Sequence, residues 1–243
     1  MALPRASVPE FLTKIPSTGQ QIKFRPFLVK EEKILLIAME GGDKKEIINA
    51  TKNVLSSCII SEDSEKIDVS KLTTFDVEFL FLRIRGKSVN ETLSFTLKHH
   101  NKGNLKECNR ATKIDLNIDD IEVVGDIHDG VIVLDEETGV GVKMRYPDID
   151  SSDILLNFES ESEAVFDLIA YCVDSVFDAD EVYSDFTNEE MKEWIGSLKI
   201  SQFKMLSDFI ENTPKLKHDL KWKCGSCGKT ETVVLEGLEN FFT

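Results

Sequence analysis

The spacing of apolar residues along this chain changes twice, and these changes constrain its fold more than any other feature. Up to about residue 90 the spacing is helical, in KEEKILLIAME, KKEIINATKNVLSSCII and FDVEFLFLRIRGKS. From residue 91 the period becomes two, in TLSFTLKHH, TKIDLNI, IEVVGDI, GVIVLD and GVGVKMRYP, and polar turn signals separate these runs. After Pro147 helical spacing returns in ESEAVFDLIAYCVDSVF, MKEWIGSL and SQFKMLSDFIENTP.

These changes predict an α+β fold. We expect a helical N-terminal part, a central antiparallel β meander, and a helical C-terminal part that ends in a zinc-ribbon-like β hairpin. The predicted domains are residues 1–90 with an extended start and helices, 91–147 with the meander and a ribbon-like hairpin, and 148–243 with helices and a CxxC hairpin packed on the meander. The run ILLIAM is predicted to be a short helix core.

Several helix ends can also be predicted, because capping depends on local sequence. The first helix is expected to stop at Gly41 and Gly42, and Asp43 to cap the second. Thr187 and Glu190 form a TxxE pattern, which predicts a capping box at the start of MKEWIGSL.

The segment KCGSCG near the C-terminus carries the most specific local pattern of the chain. Cys224 and Cys227 stand at i and i+3, and the adjoining glycines permit the tight turn that places both sulfurs on one metal ion. Redox CxxC motifs instead lie at a helix N-terminus, whereas strands are predicted on both sides here. The pattern therefore favours half of a structural zinc site, which normally needs four ligands.

The missing ligands are expected in the hairpin predicted over residues 94–116, whose layout is similar to that of the C-terminal hairpin. If the two hairpins pack side by side, Cys108 and one histidine, taken as His100, complete a Cys3His site with the CGSCG pair. Adjacent strand residues point to opposite faces, so at most one of His99 and His100 can bind the metal. His218 is predicted at the far end of its strand. The alternative is a first hairpin without metal and a terminal turn held by hydrogen bonds alone.

Charge is distributed unevenly along the chain. The net charge is −15, and residues 111–200 hold 24 acidic side chains but only 5 basic ones. Such a charge repels a phosphate backbone and argues against general nucleic-acid binding. The acidic segment is interpreted as a solvated face that keeps the protein soluble, as a docking surface for a basic partner, or as a source of charge repulsion against self-association. The basic stretches FRPF and LRIRGK are expected to face another surface.

Catalytic and membrane functions find little support in the sequence. No GxSxG segment, P-loop lysine motif or HExxH segment occurs, so we predict that the protein is not an enzyme, and we expect no small-molecule partner. No apolar run approaches 18 residues, so no membrane partner is expected either. Five cysteines, an odd number, indicate a reducing compartment. Cys58 and Cys172 fall on apolar helix faces and are predicted to be core residues.

Four stretches taken together resemble the baseplate hub assembly proteins of T-even-type contractile-tailed phages. They are IKFRPFLVKEEKILLIAME, DVEFLFLRIRGKSV, GVKMRYP, and KCGSCG followed by LEGLENFF. The resemblance covers roughly residues 20–243 and depends on the order and spacing of the stretches. It implies a noncatalytic protein that helps to build the central hub of the tail baseplate or remains in it. It also implies cysteine pairs in both hairpins, and KHHNKGNLKEC departs from that pattern.

The resemblance implies other baseplate hub or tail proteins as partners. It places the protein in the host cytoplasm during assembly, and it is compatible both with a hub subunit of the virion and with an assembly factor that leaves the particle. A hypothesis from a different class is a zinc-ribbon adaptor or transcription-associated factor that contacts nucleic acid. Its local support is a small basic face around CGSCG, formed by Lys217, Lys221, Lys223 and Lys229.

Overall fold

The computed structural model of the chain describes residues 6–60, 67–98, 111–151, 154 and 160–237. These residues form two compact units. Unit 1 comprises the described residues of Met1–Ile67, Phe75–Val124 and Lys215–Thr243, and unit 2 those of Asp68–Thr74 and Gly125–Pro214. Each unit therefore combines segments that lie far apart in the sequence.

The helices and strands are numbered here in chain order. The helices are α1 (Val29–Gly41), α2 (Lys44–Cys58), α3 (Thr74–Ser88), α4 (Glu161–Cys172), α5 (Asn188–Gly196) and α6 (Ile200–Glu211). The strands are β1 (Phe11–Lys14), β2 (Gln21–Phe24), β3 (Ile59–Ile60), β4 (Thr92–Leu97), β5 (Thr112–Asn117), β6 (Glu122–Val124), β7 (Val131–Asp135), β8 (Val140–Met144), β9 (Val173–Phe177), β10 (Val182–Tyr183), β11 (Lys215–Lys223) and β12 (Thr230–Glu236). The mixture of helices and antiparallel strands confirms the predicted α+β class.

In unit 1 the first sheet has the strand order β1–β2–β3 and is antiparallel throughout. The helices α1 and α2 lie between β2 and β3 in the sequence. Gly42 ends α1 with φ of 70°, a left-handed conformation that glycine adopts without strain. The Asp43 carboxylate accepts hydrogen bonds from the backbone amides of Lys45 and Glu46 at the start of α2. The ends that were predicted for these two helices are therefore confirmed.

The ILLIAM run of α1 is largely exposed, so its prediction as a helix core was wrong. Leu36 and Ile37 are 53% and 57% exposed, and α1 buries only Glu31 and Ala38. The apolar residues of α1 are spread around the helix, so no single face can bury all of them. The helix α2 has one apolar stripe, and it buries Ala50, Thr51, Val54, Leu55 and Cys58.

The helix α3 is buried on most of its sides. Its buried apolar side chains include those of Phe75, Val77, Leu80, Phe81, Leu82 and Ile84. Asp76 is also fully buried, and it accepts hydrogen bonds from the backbone amide and the hydroxyl of Ser17, at 2.8 and 2.6 Å. This pair joins the turn after β1 to α3.

The described residues of unit 1 also form two antiparallel hairpins, β4–β5 and β11–β12. The strand β6 adds to β11, which gives a second sheet in the order β12–β11–β6. The inward side chains of both hairpins meet in one hydrophobic core. Its buried members are Leu82, Leu93, Phe95, Leu116, Ile118, Ile121, Leu216, Leu220 and Leu235.

In the described residues of unit 2, the helices α4, α5 and α6 accompany a four-stranded antiparallel sheet in the order β10–β9–β8–β7. Its core includes Val142, Met144, Leu168, Ile169, Cys172, Met191, Ile195 and Leu206. At the start of α5 the Thr187 hydroxyl accepts from the Glu190 amide at 3.2 Å. The Glu190 carboxylate accepts in return from the Thr187 amide at 2.8 Å. The predicted capping box is therefore confirmed.

The central antiparallel β meander is not present as a single structure. The described strands of residues 91–147 belong to three different sheets. β4 and β5 pair with each other, β6 pairs with β11, and β7 pairs with β8, which pairs in turn with β9. Alternating apolar residues indicate a strand but carry no information about its partner. The strands follow one another in the sequence, but this does not mean that they pair in one sheet.

A second correction concerns the segment ESEAVFDLIAYCVDSVF, which was predicted to be one helix. The helix α4 ends at Cys172, and the next residues form β9, which pairs with β8 and β10. Val173, Val176 and Phe177 favour a strand, since β-branched and aromatic side chains fit a pleated surface. The apolar spacing of these residues is compatible with both a helix and a strand, and pairing with β8 and β10 favours the strand.

The helices within the described ranges are short, and charged residues interrupt them. None of them is long and apolar enough to cross a membrane.

Candidate metal centre

The CGSCG turn joins β11 to β12 through a compact set of backbone hydrogen bonds. The Cys224 amide donates to the Lys229 carbonyl at 2.8 Å, and the Gly228 amide donates to the Cys224 carbonyl at 2.9 Å. Gly228 has φ of 75°, a conformation that a residue with a Cβ adopts only with strain. The glycine after the second cysteine is therefore required by the turn itself.

The two thiols of this turn differ in their exposure. Cys224 is 1% exposed, whereas Cys227 lies at the surface. The Ser226 amide lies 3.4 Å from the Cys224 sulfur and donates a hydrogen bond to it. Hydrogen bonds of this kind orient metal-binding side chains and support their charge. One sulfur of the pair is therefore fixed inside the unit, and the other lies at its edge.

The first hairpin adjoins this turn, as the side-by-side arrangement of the two hairpins requires. The Gly225 amide donates to the Thr112 hydroxyl oxygen at 3.2 Å, and Thr112 is the first residue of β5. Cys108 precedes Thr112 by four positions in the sequence. His99, His100 and Cys108 lie outside the described residues, so their part in a metal site stays a prediction.

His218 does not belong to this site. It lies on β11 six residues before Cys224, which corresponds to roughly 20 Å along an extended strand. Its Nδ1 atom is instead 3.1 Å from the Asp120 carbonyl oxygen. In the described part of the chain, no group of three or more His, Cys, Asp or Glu side chains is arranged to hold a metal ion.

The lysines around the turn form a weaker basic face than their number suggests. Lys229 lies 2.7 Å from a carboxylate oxygen of Glu231, and Lys217 lies 3.8 Å from one of Asp219. The hydrogen bond to Glu231 raises the pKa of Lys229. Two of the four lysines that supported the nucleic-acid hypothesis therefore have carboxylate partners within the hairpin.

The basic stretches FRPF and LRIRGK also use their charges inside unit 1. Arg25 contacts Glu31 at 3.0 Å, and Arg83 contacts Asp119 at 2.5 Å. Arg83 also donates to the Ile118 and Ile121 carbonyls, and burial lowers the pKa of Arg85. The guanidinium groups of Arg25 and Arg83 therefore join elements of unit 1, and the expectation that both stretches face another surface stays a prediction.

Cys58 and Cys172 are core residues, as predicted. Burial raises the pKa of Cys58 to about 11 and that of Cys172 to about 12. Both thiols therefore remain protonated at neutral pH, and a protonated thiol is neither a metal ligand nor a nucleophile.

Sequence reasoning missed a cavity of about 480 Å³ in unit 2. Its walls come from β8, β9, β10 and α5 and from the loop before α5, so four aromatic and three acidic residues meet there. The signal in the sequence was the run FDADEVYSDF followed by EEMKEW, in which aromatic and acidic residues alternate. Aromatic and acidic residues do not by themselves indicate a cavity, because the cavity depends on how the strands and α5 pack together.

The chain is similar to a known protein family. A family model described as T4 bacteriophage base plate protein matches residues 8–243. No curated protein and no solved structure matches the chain. The family model covers both units.

Proposed function

The chain belongs to the family of T4 bacteriophage base plate proteins, and on this premise we propose that it is a noncatalytic protein of the central baseplate hub. It acts through protein–protein contacts, either as a hub subunit or as an assembly factor. The observation that carries the proposal is the family match over nearly the whole chain. A baseplate is built from many proteins, so other baseplate or tail proteins are its partners. The protein works in the host cytoplasm while the tail is assembled.

Two surface properties support a role in assembly. The segment of residues 111–200 is strongly acidic and can attract basic partners over several ångströms before contact. The helix α1 exposes Val29, Leu36 and Ile37, which are apolar side chains of the kind that protein interfaces bury.

A phage that carries an amber codon in this gene tests the proposal. In a non-suppressing host we expect tails without a completed baseplate, visible by electron microscopy, and we expect a plasmid copy to restore plaques. Mass spectrometry of purified virions distinguishes a hub subunit, which is retained, from an assembly factor, which is lost. Normal plating of the amber phage would refute a role in the baseplate.

Within this role, the CGSCG turn is proposed to bind one structural zinc ion. Cys224 and Cys227 supply two ligands, and Cys108 and His100 are the proposed third and fourth. The support is the fixed turn, the amide that donates to the Cys224 sulfur, and the contact of Gly225 with Thr112. Cys3His is an ordinary ligand set for structural zinc. The ion would fasten the two hairpins of unit 1 together.

Metal analysis of the purified full-length chain tests this site. We expect about one zinc per chain, in keeping with one four-coordinate site, and its loss in Cys224→Ser. Cys172→Ser is the matched control, since its thiol is buried in unit 2 and should not affect zinc content. Unequal loss in Cys108→Ser and His100→Ala would show which of the two is a ligand. Wild-type protein without zinc would refute the metal site and leave the hub proposal unaffected.

A further inference from the structure

The cavity of unit 2 combines an aromatic wall with acidic side chains. It has a volume of about 480 Å³ and opens at the surface beside the exposed residues Tyr183 and Asp185. This volume falls in the range of roughly 300–1,000 Å³ that is usual for ligand pockets. The aromatic rings in its lining are those of Phe177, Tyr183, Phe186 and Trp194.

The aromatic wall is held by the sheet and by α5. Phe177 on β9 pairs with Gly141 on β8, and its ring lies over that glycine. A Cβ atom at position 141 would come within 2.4 Å of the Phe177 ring, so only glycine leaves room for it. Trp194 packs against the core of unit 2 while one side of it lines the cavity. The wall is therefore formed before any ligand arrives.

Two of the three acidic residues in the lining are fixed by hydrogen bonds. Asp178 accepts from the backbone amides of Asp180 and Glu181, both at 2.9 Å, and from the Tyr183 hydroxyl at 3.1 Å. These amides hold the pKa of Asp178 below its ordinary value. The capping contacts with Thr187 likewise lower the pKa of Glu190. Both carboxylates are therefore charged at neutral pH.

The third carboxylate, that of Asp185, is exposed at the cavity. None of the residues that line the cavity is basic, and all of them belong to the described ranges. The acids do not converge on one point, because no group of three or more such side chains among the described residues could hold a metal ion. The cavity therefore presents negative charge spread around an apolar wall.

We propose that this cavity binds an arginine side chain of a partner protein. The inference rests on the proposed function, since it names the chemistry of a protein–protein contact. A guanidinium group is planar, stacks on aromatic rings and donates in several directions, so it matches aromatic walls and separated carboxylates together. A neutral apolar ligand would desolvate the carboxylates without compensation, and the acidity of the surrounding segment favours the approach of a cation.

The chain provides its own reporter for this site. It contains two tryptophans, Trp194 at the cavity and Trp222 in unit 1. In nitrogen-15-labelled full-length protein the two indole N–H signals are assigned with Trp194→Phe. The probe is N-acetyl-arginine methylamide, and N-acetyl-citrulline methylamide is its neutral counterpart of nearly the same shape. We expect the arginine probe to shift the Trp194 signal with a dissociation constant of about 1–10 mM, and the citrulline probe to leave it in place.

Asp185→Asn should weaken binding of the arginine probe about two- to fivefold, as expected for the loss of one exposed ionic contact. Asp180→Asn is the matched control. This variant removes one charge from the same loop, but Asp180 does not line the cavity. Because salt screens charges that are not in contact, the affinity for the arginine probe should change by less than about twofold. Equal responses to the two probes, no shift of Trp194 up to about 50 mM, or equal effects of the two variants would overturn the inference.

The outcome is distinguishable from failure of the hub proposal. A chain that is needed for baseplate assembly but does not bind the arginine probe refutes the cavity assignment alone. A chain that binds the probe but is dispensable for assembly refutes the hub role alone.

Discussion

At the scale of single residues, Glu31 shows how one buried charged side chain can anchor a helix whose other residues are mostly exposed. It is almost completely buried, and its carboxylate contacts Arg25 at 3.0 Å and Lys30 at 3.2 Å. It also accepts from the Leu28 amide at 2.7 Å, which caps the start of α1. The carboxylate thereby joins the end of the first sheet to α1.

These contacts make the stability of unit 1 depend on pH. Burial alone would raise the pKa of Glu31, but the hydrogen bonds from Arg25, Leu28 and Lys30 outweigh it and hold the pKa below 4.5. A carboxylate with a lowered pKa stabilises the fold above its unfolded-state pKa, and this contribution is lost as the pH falls through the folded-state pKa. We predict that Glu31→Gln lowers the free energy of unfolding by about 1–2 kcal/mol at neutral pH.

Urea unfolding of the wild type and the variant measures this difference. It should shrink toward zero as the pH falls through the lowered folded-state pKa of Glu31, because the wild-type carboxylate is then itself protonated. Glu32→Gln removes the same charge from an exposed neighbour and should change stability by less than about 0.5 kcal/mol. A difference for Glu31→Gln that persists unchanged in acid would show that the charge of Glu31 does not stabilise the fold.

At the scale of elements, the sequence predicts helix caps and turns, which depend on neighbouring residues. It does not predict strand pairing between distant residues. The caps at Asp43 and Thr187, the glycine that ends α1 and the CGSCG turn all depend on residues within a few positions of one another. The pairing of β6 with β11 joins residues about ninety positions apart, between Lys215 and Val124. Apolar alternation cannot encode such a choice, which is why a meander was predicted in its place.

The candidate sites follow the same rule. The CGSCG turn was predictable, because Cys224 and Cys227 are three positions apart and the hydrogen bonds that close the turn join Cys224 to Gly228 and Lys229. The cavity of unit 2 was not predictable, because its wall depends on Phe177, Gly141 and Trp194 coming together from β9, β8 and α5.

The burial of apolar side chains also differs between α1 and α2, and the sequence did not reveal this difference. Leu36 on α1 is 53% exposed, whereas Leu55 on α2 is completely buried. We predict that Leu36→Ala changes the free energy of unfolding by less than about 0.5 kcal/mol, and that Leu55→Ala lowers it by about 2–5 kcal/mol through the cavity it leaves. Urea unfolding of the two variants compares the same substitution on adjacent helices. A comparable loss in both would show that α1 packs its apolar residues after all.

At the scale of the whole molecule, segments of the chain alternate between two units. Each unit has a hydrophobic core of its own. Leu206 belongs to the core of unit 2 and Leu216 to that of unit 1, and both are completely buried. One tryptophan also lies in each unit, Trp194 in unit 2 and Trp222 in unit 1. Replacing one tryptophan by phenylalanine therefore leaves a fluorescent reporter in the other unit alone.

We predict that a core substitution acts mainly on its own unit. Leu206→Ala should lower the unfolding midpoint reported by Trp194, with a loss of about 2–5 kcal/mol, and should leave the midpoint reported by Trp222 nearly unchanged. Leu216→Ala is the reciprocal control and should show the opposite pattern. Each measurement uses a background in which the other tryptophan is replaced by phenylalanine. If both reporters shift equally with either substitution, the two cores unfold as one cooperative system, and the separation into independently stable units is refuted.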